Sequence, residues 1–520
     1  MVTTPHHLAS QAGLAVLREG GTAIEAAIAA AATLSVVYPH MCGLGGDGFW
    51  LIADPGKPPI SIDGSGASGA LADADAYRRR GLDRVPGRGP LAANTVAGVV
   101  SSWQLALDLS AQWGGRLSLG RLFEDAIFAA REGFAVTRHQ VACTARNLAD
   151  LQGQPGFAET FLIDGKAAAA GSLQRLPGLA HTLERLAAAG LDDFYRGDVA
   201  RDIAAGLHAA GAPLRAEDLA RHRGMRRRPL SLGLPCGTLF NTAPPTQGLA
   251  SLIILGLFQR LGVEQADGFA HIHGLVEATK QAFRIRDAYL TDPARMPVHA
   301  NTYLSDEVLD GMAAAVDSQR AAPWPHPPIE GDTVWLGVID GQGRAVSYVQ
   351  SLCHPFGSGV VAAQTGIVWH NRGASFSLVP GHCNVLEPRR RPFHTLSPGL
   401  ARMKDGRTLV YGTMGGDAQP QIQAEIFTRS VLFGQDLQQA VSGPRWALGR
   451  GIDFKPAPYV TLESRFSPEV VEALRQAGHS VELVAPFDSL MGHAGALLRR
   501  ADGAIEGAAD PRADGVVASY

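Results

Sequence analysis

Charge is scarce in this chain of 520 residues. Asp, Glu, Lys and Arg make up 18% of it, against about 25% in an average soluble protein. The formal net charge is −3. A nucleic-acid footprint needs a basic balance, so that class is excluded. Low charge beside 46% apolar residues also excludes disorder as the main state. Arg78-Arg79-Arg80, Arg226-Arg227-Arg228 and Arg389-Arg390-Arg391 are short runs without interleaved aromatics, and they read as solvated faces or loop anchors. Cysteine is equally sparse. Cys42, Cys143, Cys236, Cys353 and Cys383 are scattered, odd in number and never spaced C-x-x-C. That argues against a disulfide framework or a structural zinc site and fits a reducing compartment. The first residues lack a basic stretch followed by an apolar one, so no signal peptide is expected. The longest apolar stretch, Ala23 to Tyr38, carries Glu25 and is too short to span a bilayer. The expectation is a soluble, cytoplasmic protein without internal repeats.

Glycine is what the chain has in excess, 61 residues where about 7% is usual. Its scatter points to tight turns and close backbone approaches. Residues 8–38 read as two helices, with Gly20-Gly21 between them and Thr22 as the cap of the second. A loop with four glycines in residues 42–48 then leads into a strand, FWLIAD. This helix-to-strand order is the reverse of a dinucleotide-binding turn, and no G-K-[ST] follows, so phosphate binding is set aside. Residues 64–95 read as loop and residues 100–220 as mostly helical, with amphipathic stretches at Leu122–Arg131 and Leu179–Ala189. A short strand follows Pro229, and helices follow at Leu249–Leu261 and over 269–290. In the second of these, His273 and Glu277 share a helical face. No further ligand pair at metal spacing follows, so a local hydrogen bond or exposed pair is the favoured reading.

A boundary lies near residue 330. The Pro-rich run 321–328 predicts an exposed, extended connection. Beyond it, TVWLGVI, DGQG and RAVSYVQS form a predicted β-hairpin. Further strands are expected at GVVAA, GIVWHN, HTLSPGLARM and TLVYGTMGG, with helices at Pro420–Leu432 and Pro468–Ala477. Thr333 opens the hairpin directly after the flexible pair Gly331-Asp332, and a glycine turn, Gly415-Gly416, ends a strand downstream. A hydroxyl nucleophile and backbone N–H donors at such a turn suit acyl transfer. Taken alone, a Thr at a strand start is more often a plain β-former.

In order along the chain stand LASQAGLAVLREGGTAIEAAIAAAATLSVVYPHMCGLGGDGFWLI from residue 8, NTVAGV (94–99), AIFAAREGFAV (126–136), APPTQG (243–248) and HGLVEATKQAFRIRDAYLTDP (273–293). DTVWLGVIDGQGRAVS (332–347), FGSGVV (356–361), RRPFHTLSP (390–398), GTMGGD (412–417) and GAADPRADG (507–515) follow. Together these stretches resemble the gamma-glutamyltransferase family of N-terminal-nucleophile hydrolases over nearly the whole chain. The resemblance implies an α+β fold, a four-layer αββα sandwich of two stacked antiparallel sheets covered by helices. It implies a precursor that cuts itself between Asp332 and Thr333. The products are a large chain, 1–332, and a small chain, 333–520, which form one interlocked heterodimeric domain, with further dimerisation left open. Thr333 takes the nucleophile position, and Ser351 matches a family Thr whose hydroxyl bonds the nucleophile. Gly415 and Gly416 match the oxyanion-hole pair. No metal or organic cofactor is implied.

The departures bear on substrate. The family's Thr-Thr-His after the cut is Thr333-Val334-Trp335 here. The Arg that grips the glutamyl α-carboxylate falls on Ala74. The acidic residues that hold the α-amino group fall on Ala374 and Ser375. A Gln falls on Arg372, an Asn on Cys353, and a Ser-Ser pair on His394-Thr395. Without acids, a cationic α-amino group loses its charge-assisted bonds. The D-T-V start and the N-R-G at 371–373 resemble the oxamate amidohydrolase branch of the family, linked to purine breakdown. The expected activity is hydrolysis of a small carboxylated amide such as oxamate to oxalate and ammonia. Arg372, His394, Thr395 and Ser375 are the expected substrate contacts. The alternatives are a gamma-glutamyltransferase or glutathione hydrolase, a cephalosporin- or glutaryl-type acylase, and a catalytically silent binding protein of the same fold.

Overall fold

The computed structural model describes residues 1–324, 331–450 and 456–520. Two sheets form its centre. The first has seven antiparallel strands in the order Val516–Ala518, Val2–Thr4, Asp332–Ile339, Ala345–Cys353, Asp47–Ala53, Ile60–Gly64 and Met225–Arg227. The second has six, in the order Ile505–Ala509, Ala494–Arg499, Thr408–Thr413, Gly399–Met403, Gly237–Asn241 and Leu230–Leu234.

Strand alternation builds the layers. Phe49 and Leu51 point into the gap between the sheets, where they join Trp335, Leu400, Val410 and Leu497 in one buried cluster. Their neighbours Trp50, Ile52, Val334 and Leu336 point the other way, onto helices. The Trp335 indole donates to Ser347 Oγ at 2.9 Å. It also lies on the bare backbone of the opposing sheet, where a Cβ added at Gly412 would sit 2.2 Å from its ring. Ala23–Val37 covers the outer face of the first sheet and is buried along its whole length. Its start is the predicted one. Thr22 Oγ1 accepts from Glu25 N at 3.1 Å, and Glu25 Oε2 accepts from Thr22 N at 2.8 Å, a reciprocal cap. Gly248–Arg260, Phe269–Tyr289 and Ala418–Phe427 cover the second sheet. The result is the αββα sandwich of N-terminal-nucleophile hydrolases.

Several local expectations need correcting. GVVAA and GIVWHN are not strands; they contribute only the isolated bridges Val361–Val368 and Gly45–Trp369. Gly359 and Gly366, which open these stretches, have positive φ, which breaks an extended run. The predicted helix Pro420–Leu432 is an α-helix over Ala418–Phe427 followed by a wider turn over Thr428–Leu432. The single strand expected after Pro229 is a hairpin, Leu230–Leu234 with Gly237–Asn241. The loop 64–95 holds a short helix, Ala74–Arg78. Of the Pro-rich connection, residues 325–328 lie outside the described residues. Ala321–Trp324 has neither helix nor strand, and Ala321 N donates to Ala477 O at 2.8 Å. Among the described residues no helix is long and apolar enough to cross a membrane.

Candidate active site

The site lies where the strand Asp332–Ile339 begins. Pairing with Ala345–Cys353 is regular from Ile339 back to Val334, which faces Gln350; Asp332 then faces Cys353. Two residues, Ser351 and Leu352, thus oppose Thr333 alone. This is a β-bulge, a device that re-aims a side chain at the edge of a sheet. Cys353 ends the bulge with φ 81°, a left-handed backbone that costs a non-glycine residue energy. Thr333 is only 1% exposed. Its Oγ1 accepts from Gln419 Nε2 at 3.2 Å. Gln419 is itself held because its Oε1 accepts from Ser397 N at 3.0 Å. Ser351 Oγ accepts from Cys353 N at 2.8 Å, which ties the predicted hydroxyl to the bulge.

The glycine turn lies against the segment that leads into Thr333. A Cβ added at Gly416 would stand 2.8 Å from Gly331 N, and Gly416 has φ 54°. Both demands select glycine. The turn opens the helix Ala418–Phe427, through Ala418 N to Gly415 O and Gln419 N to Gly416 O. Its carbonyls are also anchored from outside. Arg450 Nη1 donates to Gly415 O at 2.7 Å, and Gln247 Nε2 donates to Gly416 O at 2.7 Å. Gln247 Nε2 also donates to Thr395 O at 2.6 Å. Arg286 pairs with Asp417 at 3.0 Å and donates to Gln247 Oε1 at 3.3 Å. Among the described residues, no hydrogen bond uses the N–H of Gly415 or Gly416. Two buried donors at a helix N-terminus therefore remain available.

Arg372 sits on the far side of Thr395. It is 1% exposed. Nη2 donates to Thr395 Oγ1 and Nη1 to Ser375 Oγ, each at 3.2 Å, and Nε has no partner. Thr395 Oγ1 in turn stands 3.4 Å from a Cβ added at Gly331. The N-R-G motif thus has a physical reading. Asn371 accepts from His354 N at 3.0 Å and donates to Gly87 O at 2.7 Å, which fixes the turn. Gly373 lies so close to Asn94 that any side chain would collide. The guanidinium is carried inward between these anchors.

His394 has a different place from the one expected. Nε2 donates to Asp47 Oδ2 at 2.9 Å, and Nδ1 accepts from Leu396 N at 3.4 Å, so both ring nitrogens have protein partners. Burial, with the Arg372 charge nearby, pushes its pKa down to about 3. It is a neutral strut to Asp47 rather than a cation for substrate. Burial alone would raise the Asp47 carboxyl, but His370 and His394 outweigh it and hold the group below the usual carboxylate range. Asp47 Oδ1 also accepts from Gly98 N at 3.1 Å, and Asp47 pairs with Ser351 across the sheet. The structure therefore brings Thr333, Ser351, Gly415, Gly416, Arg372, Ser375 and Thr395 to one end of the inter-sheet gap. Asp332 enters by its backbone. Ala74, where the family's Arg falls, packs in a small apolar cluster with Tyr77 and Phe376.

Sequence reasoning missed Gln419, Gln247, Asp47 and Arg286. Three of them lie in motifs already singled out as stretches: Gln247 in APPTQG, Asp47 in the glycine loop and Arg286 in the helix from His273. Their polar side chains in otherwise apolar or glycine-rich runs were the available signal.

The gamma-glutamyltranspeptidase family model matches residues 9–520. Over its full length the chain is 52% identical to the oxamate amidohydrolase proenzyme of Klebsiella pneumoniae subsp. pneumoniae, covering 98% of that protein. It is 39% identical over 99% of its length to the glutathione hydrolase-like YwrD proenzyme of Bacillus subtilis, covering 97% of it. Among solved structures, the cephalosporin acylase of Bacillus halodurans matches with a TM-score of 0.91 at 33% identity, covering 100% of this chain and 95% of that one. The chain belongs to the gamma-glutamyltranspeptidase family.

Proposed function

We propose that this protein is a self-processing amidohydrolase that cleaves a small amide bearing a carboxylate, such as oxamate, through an acyl-enzyme on Thr333. As a member of its family it is a hydrolase of amide C–N bonds. The carboxylated substrate rests on one observation above all. Arg372 is a buried guanidinium whose polar contacts among the described residues are two hydroxyls, with Nε left over. A buried cation without a countercharge is costly, and an anionic substrate supplies the missing charge in a bidentate geometry. No acid stands at Ala374 or Ser375 to receive an α-ammonium group, which weighs against γ-glutamyl donors.

The same geometry supports self-processing. Thr333 Oγ1 attacks the carbonyl carbon of Asp332, the peptide bond passes to the hydroxyl as an ester, and water hydrolyses the ester. The new α-amine of Thr333 has a pKa of about 7.7–8.0 in an unperturbed chain, so it serves as general base near neutral pH. In turnover Thr333 Oγ1 attacks the substrate amide, and the N–H groups of Gly415 and Gly416 receive the oxyanion. Ammonia leaves, and water releases the acid. Cleavage leaves 1–332 and 333–520 interlocked. The Thr333 strand lies between Val2–Thr4 and Ala345–Cys353, and the latter pairs with Asp47–Ala53. The relatives named proenzymes support this reading.

The test is intact mass under denaturing conditions, then ammonia release. Two chains, the smaller beginning at Thr333, and ammonia from oxamate are expected. A γ-glutamyl anilide and a glutaryl amide should remain uncut. A single 54.7 kDa species after long incubation, or faster turnover of the anilide, overturns it.

A further inference from the structure

His273 and Glu277 lie one helical turn apart on Phe269–Tyr289. The sequence offers them no partner nearby. The fold supplies one from 200 residues away. Pro468–Gln476 ends in a turn at Gly478, φ 99°, with His479 N donating to Leu474 O at 3.0 Å. That turn drives the His479 ring inward. His479 Nε2 comes within 2.8 Å of His273 Nδ1 and 4.0 Å of Glu277 Oε1. All three side chains are buried, and their ligand atoms lie within 4.8 Å of one another.

We propose that His273, Glu277 and His479 form a binding site for a divalent cation of the zinc class. Four observations carry this. Imidazole nitrogens with a carboxylate oxygen are the donor set that zinc takes. Tetrahedral bonds of about 2.0–2.1 Å space the ligand atoms about 3.3 Å apart. The two measured separations bracket that value, so small side-chain shifts suffice. His273 Nε2 donates to Asp317 O at 2.8 Å, which leaves the Nδ1 lone pair facing the cluster, the usual outer-shell arrangement of a metal-bound histidine. A cavity of about 490 Å³, lined by Phe269, Val316 and Gln319 among others, reaches His273, one of the three ligands. With His273 Nδ1 accepting, His479 Nε2 carries the hydrogen of their 2.8 Å bond, and ligation moves that ring hydrogen to Nδ1, which has no partner among the described residues.

Lys280 is the competitor. Its Nζ donates to Glu277 Oε1 and to Ala322 O, each at 2.6 Å, and burial lowers its pKa. An incoming cation takes the place of the ammonium at Oε1, and the Lys280 Nζ keeps its bond to Ala322 O. The site also ties together regions on either side of Thr333. Its ligands and Lys280 hold Asp317 and Ala322, just ahead of the cut, while His479 follows it. If the self-processing reading holds, the cation joins the two chains, His273 and Glu277 in one and His479 in the other.

The experiment is zinc stoichiometry after loading and gel filtration, with the thermal midpoint measured with Zn²⁺ and with EDTA. The wild type should retain about one zinc per chain pair and gain several degrees. His479→Gln and Glu277→Gln should each lose the zinc and the gain. A Thr333→Ala precursor should bind as the wild type does, so the count stands even where processing fails. Equal zinc in all variants, or none in the wild type at pH 8, overturns the proposal.

Discussion

The gap between the two sheets has two ends of opposite character. One end is dry: Phe49, Leu51, Trp335, Val410 and Leu497 fill it. The other holds Asp47, Gln247, Thr333, Arg372, His394 and Gln419, all buried. Burying such groups costs energy unless each finds a partner. Almost all do: Gln419 bridges Ser397 to Thr333, Gln247 bridges Thr395 to Gly416, and His394 braces Asp47. The exceptions are two glycine N–H groups and the charge of Arg372. In a satisfied network, the unsatisfied groups mark where a ligand is received.

The sharpest way to break the comparison is at the glycine turn. Gly416→Ala puts a Cβ 2.8 Å from Gly331 N, on a residue with φ 54°. Neither the neighbouring backbone nor the φ can give cheaply. We expect no processing and no turnover, read as a single band that persists on incubation. Wild-type cleavage would show that the turn does not shape the site. At the dry end the expected effect is on stability alone. Leu497→Ala removes a fully buried side chain and should cost about 2–5 kcal/mol, seen as a lower denaturation midpoint. Processing at low temperature should survive. Were processing lost while the fold held, the two ends would not be independent.

Arg372→Gln tests the remaining unpaired group. Its loss should lower kcat/KM for oxamate about 100-fold, or about 2.7 kcal/mol of transition-state stabilisation. Processing should survive, because the bond being cut belongs to the chain itself and needs no substrate bound at Arg372. An equal loss on a neutral amide would make Arg372 a structural residue.

What the sequence made legible follows from range. The 332–353 hairpin shows in alternation and a DGQG turn, and the helix Ala23–Val37 in its cap, because both signals are local. Thr333 and Gly415-Gly416 became legible only through motifs strung over the whole chain. Arg372 was readable as a change of charge type, but its burial was not. That burial depends on Asn94 and Gly87 packing against the 371–373 turn, Gly87 from 284 residues away. His394 was misjudged for the same reason. Nothing near it in sequence shows Asp47, 347 positions back. The strand Val2–Thr4 is too short for any pattern to register, and GVVAA reads as a strand because apolar alternation ignores the φ of its glycines.

The smallest expected effect comes from a histidine cluster directly beneath the polar end. His40 Nε2 lies 2.8 Å from His139 Nδ1, and Tyr38 Oη lies 3.1 Å from the same His139 atom and 3.4 Å from His493 Nδ1. His493 O accepts from Met414 N at 3.3 Å, one residue before the glycine turn. Burial lowers all their pKa values, that of His493 to about 3, with neighbouring histidines and, for His493, Arg445, Arg450 and Arg512 adding to the effect. The folded protein therefore holds these rings neutral, while the unfolded chain protonates them near pH 6.5. Below that pH the unfolded state binds more protons, so stability falls as pH drops from about 6.5 toward 3. Each ring contributes up to about 1.4 kcal/mol per pH unit. His139→Gln removes one such ring and should flatten the fall between pH 6.5 and 5 by at most that slope, read from thermal midpoints at matched ionic strength. An unchanged slope would place the acid sensitivity elsewhere. It would also separate the site above from the cluster that supports it.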